Sequence, residues 1–414
     1  MAANGGRFAA LSRWFDERFP GHKLIREHVS EYYAPKNFNF WYYFGSLALV
    51  VLVIQIVSGI FLAMSYTPSD TEAFQSIEYI MREVEWGWLI RYLHSTGASA
   101  FFVVIYLHMF RALLYGSYKY PRELVWIIGM LIYVALMAEG FFGYVLPWGN
   151  MSYWGAQVIV SLFSAIPGIG DGLAEWIRGD YSISDITLNR FFALHVVAVP
   201  LLLVFLVVAH ILALHEVGSN NPDGVEIKER KNPDGTPLDG IPFHPYYTYK
   251  DLVGTGVFLI LFCGIVFFEP TFGGLFLEHP NFEPANPLNT PEHIAPVWYF
   301  TPYYAILRAV PDKLAGALLM GFAILVFFFL PWLDRCKVKS IRYRGWVYKA
   351  FLTAFAVSFL ALMYLGLQPA QGIYVTFARI FTVIYFAFFL LMPIYTRYEK
   401  TKTVPDRVTF HAHA

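Results

Sequence analysis

Of the chain's 414 residues, 57% are apolar and only 14% charged, where a soluble globular domain carries roughly 25% charge, so an ordinary water-soluble enzyme is excluded. Thirty Lys and Arg balance thirty Asp and Glu, leaving no net field to recruit nucleic acid. Two widely separated cysteines, Cys263 and Cys336, build neither a disulfide framework, a Cys-based zinc site nor a covalent CxxCH haem attachment.

The segment Met1 to Lys36 is polar, carries Arg7, Arg13, Arg18, Lys23 and Arg26, and has no apolar core of signal-peptide length. It reads as a retained cytoplasmic extension. Eight segments follow that are long and apolar enough to cross a bilayer core of about 30 Å, which takes roughly 20 residues of helix. They run Trp41 to Met64, Trp88 to Tyr115, Leu124 to Leu146, Thr187 to Leu214, Asp251 to Phe268, Leu314 to Trp332, Trp346 to Leu367 and Ile373 to Tyr395.

With the N-terminus inside, the inner connections collect Arg111, Lys119, Arg122, Lys228, Arg230, Lys231, Lys250 and the basic loop Arg335 to Lys349. The outer ones hold Asp70, Glu72, Glu78, Glu83 and Glu85, then Asp171, Glu175 and Asp180, then Glu269, Glu278, Glu283 and Glu292. This is the positive-inside pattern of a multi-pass inner-membrane protein with both termini cytoplasmic. Aromatic residues cluster at span ends, as at Trp41, Tyr42 and Tyr43, where an interfacial belt belongs. Two outer connections, Gly149 to Ile186 and Glu269 to Pro311, are long and rich in Gly and Pro, and structured loops of that length are usually functional. The polar linker Gly218 to His244 holds Asn-Pro-Asp-Gly twice, at Asn221 and Asn232, which reads as turn chemistry only. It divides an N-terminal region, 1–245, with four spans from a C-terminal region, 246–414, with four more.

The second span contains His94 and His108, 14 residues apart, so both project from one helix face about 21 Å apart along the axis. The fourth contains His195 and His210. Side by side, these helices present two facing pairs, His94 with His195 and His108 with His210, suited to two stacked six-coordinate haems. The second separation is 15, which rotates His210 by roughly 60° on a regular helix. Pro200 lies between, and a π-bulge near it restores the register. A lone intramembrane histidine is equally a packing or proton-path residue. Four at matching depths are harder to explain that way, and the glycines repeat the pattern: Gly45 and Gly59 in the first span, Gly129 and Gly143 in the third, again 14 apart. Glycine lets something flat approach a helix backbone, although the same residues also serve helix packing. Arg91 and Arg111, each three residues from a histidine, suit haem propionates or simple interfacial anchoring.

From about Phe38 to the eighth span the chain resembles cytochrome b, the quinone-binding, twice-haem-bearing subunit of the cytochrome bc complex. The resemblance rests on Gly45-Ser46-Leu47, Arg91-Tyr92-Leu93-His94, Trp148-Gly149-Asn150-Met151-Ser152-Tyr153-Trp154-Gly155-Ala156 and Leu162-Phe163-Ser164-Ala165-Ile166-Pro167. It continues through Ala213-Leu214-His215, Lys250-Asp251-Leu252 and Pro302-Tyr303-Tyr304-Ala305-Ile306-Leu307-Arg308. Eight spans on one chain resemble the fused bacterial and mitochondrial form. The separation of 15 departs from the commonest mitochondrial 14 and resembles a variant within the family.

The resemblance implies an all-α polytopic fold, with an N-terminal four-helix bundle around two non-covalent b-type haems and a C-terminal four-helix unit. It implies a low-potential haem on His94 and His195 near the outer face and a high-potential haem on His108 and His210 near the inner face. It implies an outer quinol-oxidation pocket supplied by Phe141, Tyr144, Met151 and Gly155 from one loop and Pro296, Trp298, Tyr299 and Tyr304 from the other. It implies an inner quinone-reduction site at His215, Lys250 and Asp251, with Ser46 and Ser219 as contacts; without the family, His215 and Lys250 read as interfacial polar residues. The family's Pro-Glu-Trp-Tyr is here Pro296-Val297-Trp298-Tyr299. Valine takes no proton, and quinol oxidation releases two, so the nearest carboxylate, Glu292, is expected to substitute, the alternative being that it is an exposed loop acid without that role. Electron bifurcation further implies a Rieske iron–sulfur protein, a cytochrome c-type subunit and a homodimeric complex. The competing classes are a secondary transporter with a histidine proton relay and a haem-bearing anchor for a soluble dehydrogenase.

Overall fold

The structure, a computed structural model, describes residues 4–19, 21 and 32–409. Asn4–Asp16 is helical; Lys23 and Arg26 of the basic extension lie outside the described residues. Among the described residues eight helices are long and apolar enough to span a membrane: Phe40–Ala63, Gly87–Tyr115, Glu123–Val145, Asp185–Val217, Tyr246–Phe268, Lys313–Leu333, Trp346–Gly366 and Gly372–Leu390, here spans 1 to 8. Each falls within a few residues of its expected position. Span 5 starts earlier, at Tyr246, because Tyr246, Tyr247 and Lys250 continue the helix beyond its apolar stretch. Span 8 stops at Leu390, and Pro393, which has no N–H to donate, begins the separate turn Met392–Tyr395.

Span 1 packs on span 2, span 3 on span 4, and spans 7 and 8 on each other and on the short helix Thr301–Ala309. Only a two-stranded antiparallel ribbon, Tyr33–Pro35 with Gly240–Pro242, departs from helix among the named strands. It fixes the segment before span 1 to the polar linker after span 4.

The connections sort onto two sides. On the terminal side, buried carboxylates gather the segments flanking the spans. Asp239 accepts from Lys36 (2.9 Å) and Arg407 (2.8 Å). Asp223, from the first Asn-Pro-Asp-Gly, accepts from Asn37, Arg342, Tyr343 and Thr409. The second repeat keeps Asp234 at a local turn with Thr236. The repeats therefore differ: one is only a turn, the other a buried junction where the segments before span 1 and after span 8 meet. That meeting places the segment before span 1 and the segment after span 8 on one side of the bundle. Asp334 accepts from Arg344 (2.6 Å), Lys119 (3.0 Å) and Tyr118 (2.6 Å), and Arg344 also reaches Glu399 (2.8 Å). Arg122 grips Glu226 with two bonds of 2.7 and 2.8 Å. Tyr118 and Lys119 precede span 3 while Asp334 follows span 6, so their bonds tie the two halves together.

The opposite, loop side carries the two long connections, and both are structured. The first folds into helices Asn150–Phe163 and Gly170–Arg178. The second holds the turns His279–Phe282 and Trp298–Phe300 before Thr301–Ala309.

Candidate functional site

Span 4 is not a regular helix. Leu194–Ala198 is a π-helical turn just before Pro200, whose missing N–H leaves the Val196 carbonyl without its usual α-helical partner. The wide turn absorbs one residue, so His195 and His210 occupy one face despite their separation of 15.

The consequence is two histidine pairs at two levels. His94 and His195 have ring centres 6.1 Å apart with planes at 86°; His108 and His210 lie 6.5 Å apart at 60°. A metal bonded to one nitrogen of each ring at about 2.0–2.1 Å would set the centres roughly 6 Å apart. Each ring lies against one of the four glycines. A Cβ on Gly59 would sit 3.1 Å from His94 Cε1, on Gly45 3.3 Å from His108, on Gly129 3.2 Å from His210, and on Gly143 it would overlap His195. The flat group that reaches the glycine backbone is thus the imidazole itself, held between a helix and its partner ring.

Hydrogen bonds fix the loop-side rings. Ser58 Oγ donates to Ile54 O (2.6 Å), so it accepts from His94 Nδ1–H (2.9 Å). His195 Nδ1–H donates to Glu139 O (3.1 Å), with the Glu139 carboxylate 3.0 Å away. Occupying Nδ1 leaves Nε2 free, as in an imidazole that a protein orients for metal binding. On the terminal side Arg111 Nη2 lies 3.3 Å from His108 Nδ1, while its Nε is buried without a partner. Such an orphaned donor fits an anionic group carried by a ligand at this level. Arg91 stands one helical turn before His94. Among the described residues no group of three or more His, Cys, Asp or Glu gathers around a single point. Two opposed imidazoles without further protein ligands suit a metal already held in a macrocycle, not a bare ion.

The two long connections meet on the loop side. Asn150 N–H donates to Glu283 O (2.9 Å), Ala285 N–H to Trp148 O (3.0 Å), Ser152 N–H to Asn281 Oδ1 (2.9 Å) and Asn286 N–H to Asn150 Oδ1 (3.1 Å). Gly149 is required there, since a Cβ would collide with Asn281. Beside this seam opens a cavity of about 230 Å³. Of the expected residues, Phe141, Gly155, Pro296 and Tyr304 line it. Tyr144 borders it at Gly155 and donates to Glu278 Oε2 (3.2 Å). Met151, Trp298 and Tyr299 are buried behind the wall: Trp298 Nε1 donates to Ser99 (3.0 Å), and Tyr299 stacks on Phe102 at 3.9 Å. Unforeseen lining comes from Ile159, Met320 and Ile324, which carry no signal beyond hydropathy. Val297 is buried, whereas Glu292 is exposed.

On the terminal side the expected residues fall into separate contacts. His215 stacks on Tyr32 at 4.2 Å, and Tyr32 Oη is 2.8 Å from Ser219 Oγ. Asp251 lies near Ser46, whose Oγ donates to Tyr43 O (3.0 Å). Lys250 lies over the Tyr246 ring at 4.5 Å. Tyr32 and Glu139 are site neighbours that sequence reasoning passed over.

Two family models cover most of the chain: Cytochrome b/b6/petB over residues 29–218 and Cytochrome b(C-terminal)/b6/petD over 284–386. A cytochrome b of Allochromatium vinosum is 63% identical over 404 residues, 96% of this chain and 97% of that one. One of Rhodospirillum rubrum is 52% identical over 398 residues, 96% and 95% of the two chains. A longer relative in Bradyrhizobium diazoefficiens, named cytochrome b/c1, is 46% identical over 96% of this chain and 56% of its own. Among solved structures, a chain of a hyperthermophilic respiratory Complex III superposes with a TM-score of 0.86 at 40% identity, covering 94% of this chain and 99% of that one.

Proposed function

The chain belongs to the cytochrome b family, the membrane core of respiratory complex III, and from that premise we propose that it oxidises quinol on its loop side and reduces quinone on its terminal side. The observation that carries this reading is the pair of opposed imidazoles at each of two levels, every ring backed by glycine. His94 with His195 would hold a low-potential b haem and His108 with His210 a high-potential one, with Arg111 and Arg91 bonding propionates. Bound there, the haems carry electrons between the two faces.

The chain's own residues do the rest. Ser58 and the Glu139 carbonyl keep two imidazoles turned with Nε2 inward. The loop-side cavity, walled by Phe141, Gly155, Pro296 and Tyr304, takes the quinol ring and excludes water. His215, Asp251 and Lys250, with Ser46 and Ser219, offer proton donors to a quinone on the terminal side. Residues 1–245 form the di-haem region and 246–414 the region that completes the quinol pocket.

Quinol yields two electrons singly, so a second acceptor is needed outside the chain. Cys263 and Cys336 are unpaired and far apart, so the acceptor is a separate Rieske protein feeding a cytochrome c-type subunit. The fused cytochrome b/c1 name of the Bradyrhizobium relative supports the second partner. Basic residues concentrate on the terminal side, which supports a bacterial inner-membrane protein, termini cytoplasmic, within a homodimeric complex.

The test is a redox titration of the reduced-minus-oxidised spectrum of the purified complex, alongside quinol–cytochrome c reductase activity. Two b-type components with separate midpoints and quinol-dependent turnover are expected. A colourless preparation, or a single component, overturns the reading.

A further inference from the structure

The lining of the loop-side cavity contains no carboxylate, histidine, lysine or arginine. Its two hydroxyls are engaged: Tyr304 Oη donates to Ile294 O (3.0 Å) and Tyr303 Oη is 2.7 Å from Tyr133 Oη. Val297 offers nothing. Tyr144, however, lies against Gly155 of the cavity wall through its Cε1, next to the hydroxyl-bearing carbon, and its hydroxyl donates to Glu278 Oε2 at 3.2 Å. A tyrosine oxygen can accept a proton from one side while giving its own to the other, so Tyr144 is built to bridge a cavity ligand and Glu278 without itself becoming charged.

We propose that Glu278, acting through Tyr144, replaces the carboxylate missing at Val297 and takes one of the two protons released by quinol. The inference rests on reading the cavity as the quinol-oxidation site. The balance is simple. Quinol loses two electrons, one to the iron–sulfur partner and one to the loop-side haem, and two protons. One proton leaves on the side of the iron–sulfur acceptor. The other passes from the quinol hydroxyl to Tyr144 Oη as Tyr144 hands its own to Glu278 Oε2. Glu278 adjoins the exposed His279 and Pro280, so release to water is one residue away.

The surroundings suit a group that must both take and lose a proton near neutrality. Tyr144 from span 3 and Tyr299 from the turn Trp298–Phe300 are the titratable groups that face Glu278, and among the described residues no Lys or Arg forms an ion pair with it. Burial pushes its carboxyl up to about 7, and the Tyr144 bond opposes this only in part. Glu292, exposed on the same loop, has neither contact. Glu278 works through another side chain and is a positioning residue for the proton, so the readout must be a pH profile.

The experiment measures quinol-driven reduction of the loop-side haem, and steady-state turnover, from pH 5.5 to 9 in the purified complex and in the variants Glu278→Gln, Glu278→Asp and Tyr144→Phe. In the wild type the rate should rise as pH passes through about 7, because the carboxylate must be ionised to accept. Glu278→Gln should lower the rate by roughly tenfold or more and abolish that limb, with both haem spectra retained, while Glu278→Asp should restore a limb. An unchanged rate and limb in Glu278→Gln overturns the proposal, as does a limb that disappears in Glu292→Gln but not in Glu278→Gln. Should Glu278→Gln lose haem, Tyr144→Phe decides: loss of the limb supports the relay and its retention overturns it. A wild-type complex with two haems but no quinol oxidation would instead sink the reading of the cavity itself.

Discussion

His195→Ala should eliminate one of the two b-type spectral components and leave the other at its original midpoint, and Gly143→Val should do the same with all four histidines intact. The glycine variant is the more informative. A Cβ at position 143 would overlap the His195 ring, and valine adds two further methyls that a helix holds in a nearly fixed rotamer. The ring cannot retreat, because its Nδ1 is bonded to Glu139 O and His94 faces it at 6.1 Å. Displacing it by even an ångström would carry Nε2 out of bonding reach of a metal held between the two rings. Gly129→Val should remove the other component by the same route, since a Cβ there sits 3.2 Å from His210. Turnover with quinol should fall to background in each variant. Retention of both components at unchanged midpoints in Gly143→Val would show that the glycine does not make room for the ligand.

The second large effect is on stability. Arg344→Met should destabilise the chain by about 3–5 kcal/mol, the usual cost of removing one partner from a buried ion pair. Arg344 is fully buried, bonds Asp334 and Glu399, and lies 3.5 Å over the Tyr348 ring. Methionine keeps the apolar stem but leaves Glu399 without its cation. Lys119 still reaches Asp334, so Lys119→Met in the same background should add a further loss. The network also predicts a pH dependence. Burial disfavours charge on Asp334, but Lys119 and Arg344 outweigh it and hold its carboxyl below the ordinary range. Asp223 and Asp239 are lowered too: burial opposes their charge, and bonds from Thr409, Tyr343 and Arg342 to Asp223 and from Arg407 and Lys36 to Asp239 overcome it. Groups of this kind contribute stability that is complete above the unfolded carboxylate value, about 4, and is lost as pH falls through the lowered folded values. Thermal unfolding in detergent should therefore hold level from pH 8 to 5 and drop below pH 4. Arg344→Met should be less stable at neutral pH but show a shallower acid drop, because Asp334 then has less ionisation-linked stability to lose; an acid drop of wild-type depth would mean that Arg344 does not set the Asp334 ionisation.

The eight spans are legible because hydropathy over roughly 20 residues is a bulk property that tertiary detail does not alter. The histidine pairs and the wide turn before Pro200 are legible for a different reason: helical periodicity converts sequence separation into angle, and the single residue by which span 4 misses the pattern has few structural remedies. What periodicity cannot convey is where loops dock. The seam of Asn150, Asn281 and Gly149 joins residues about 130 positions apart through side chain to backbone bonds, and nothing local marks it. The same limit explains why Glu292, nearest in sequence to Val297, is exposed while Glu278, farther away, meets Tyr144. Proximity along a loop is a poor guide once the loop turns back on itself. The twin Asn-Pro-Asp-Gly motifs make the point again, since identical tetrapeptides end in a buried junction and an exposed turn.

The wide turn at Leu194–Ala198 also bears on how such chains change over generations. A π turn holds one residue more than an α turn, so losing a single codon within it returns a regular helix and leaves both imidazoles where they were. The 14- and 15-residue spacings are thereby neighbours in sequence space, connected by one deletion whose product still presents the same face. Span 2, helical throughout from Gly87 to Tyr115, has no such slack, and the same deletion between His94 and His108 would swing one of those histidines away by about 100°. Length variation in this scaffold is thus permitted on one of its two histidine-paired helices and closed on the other.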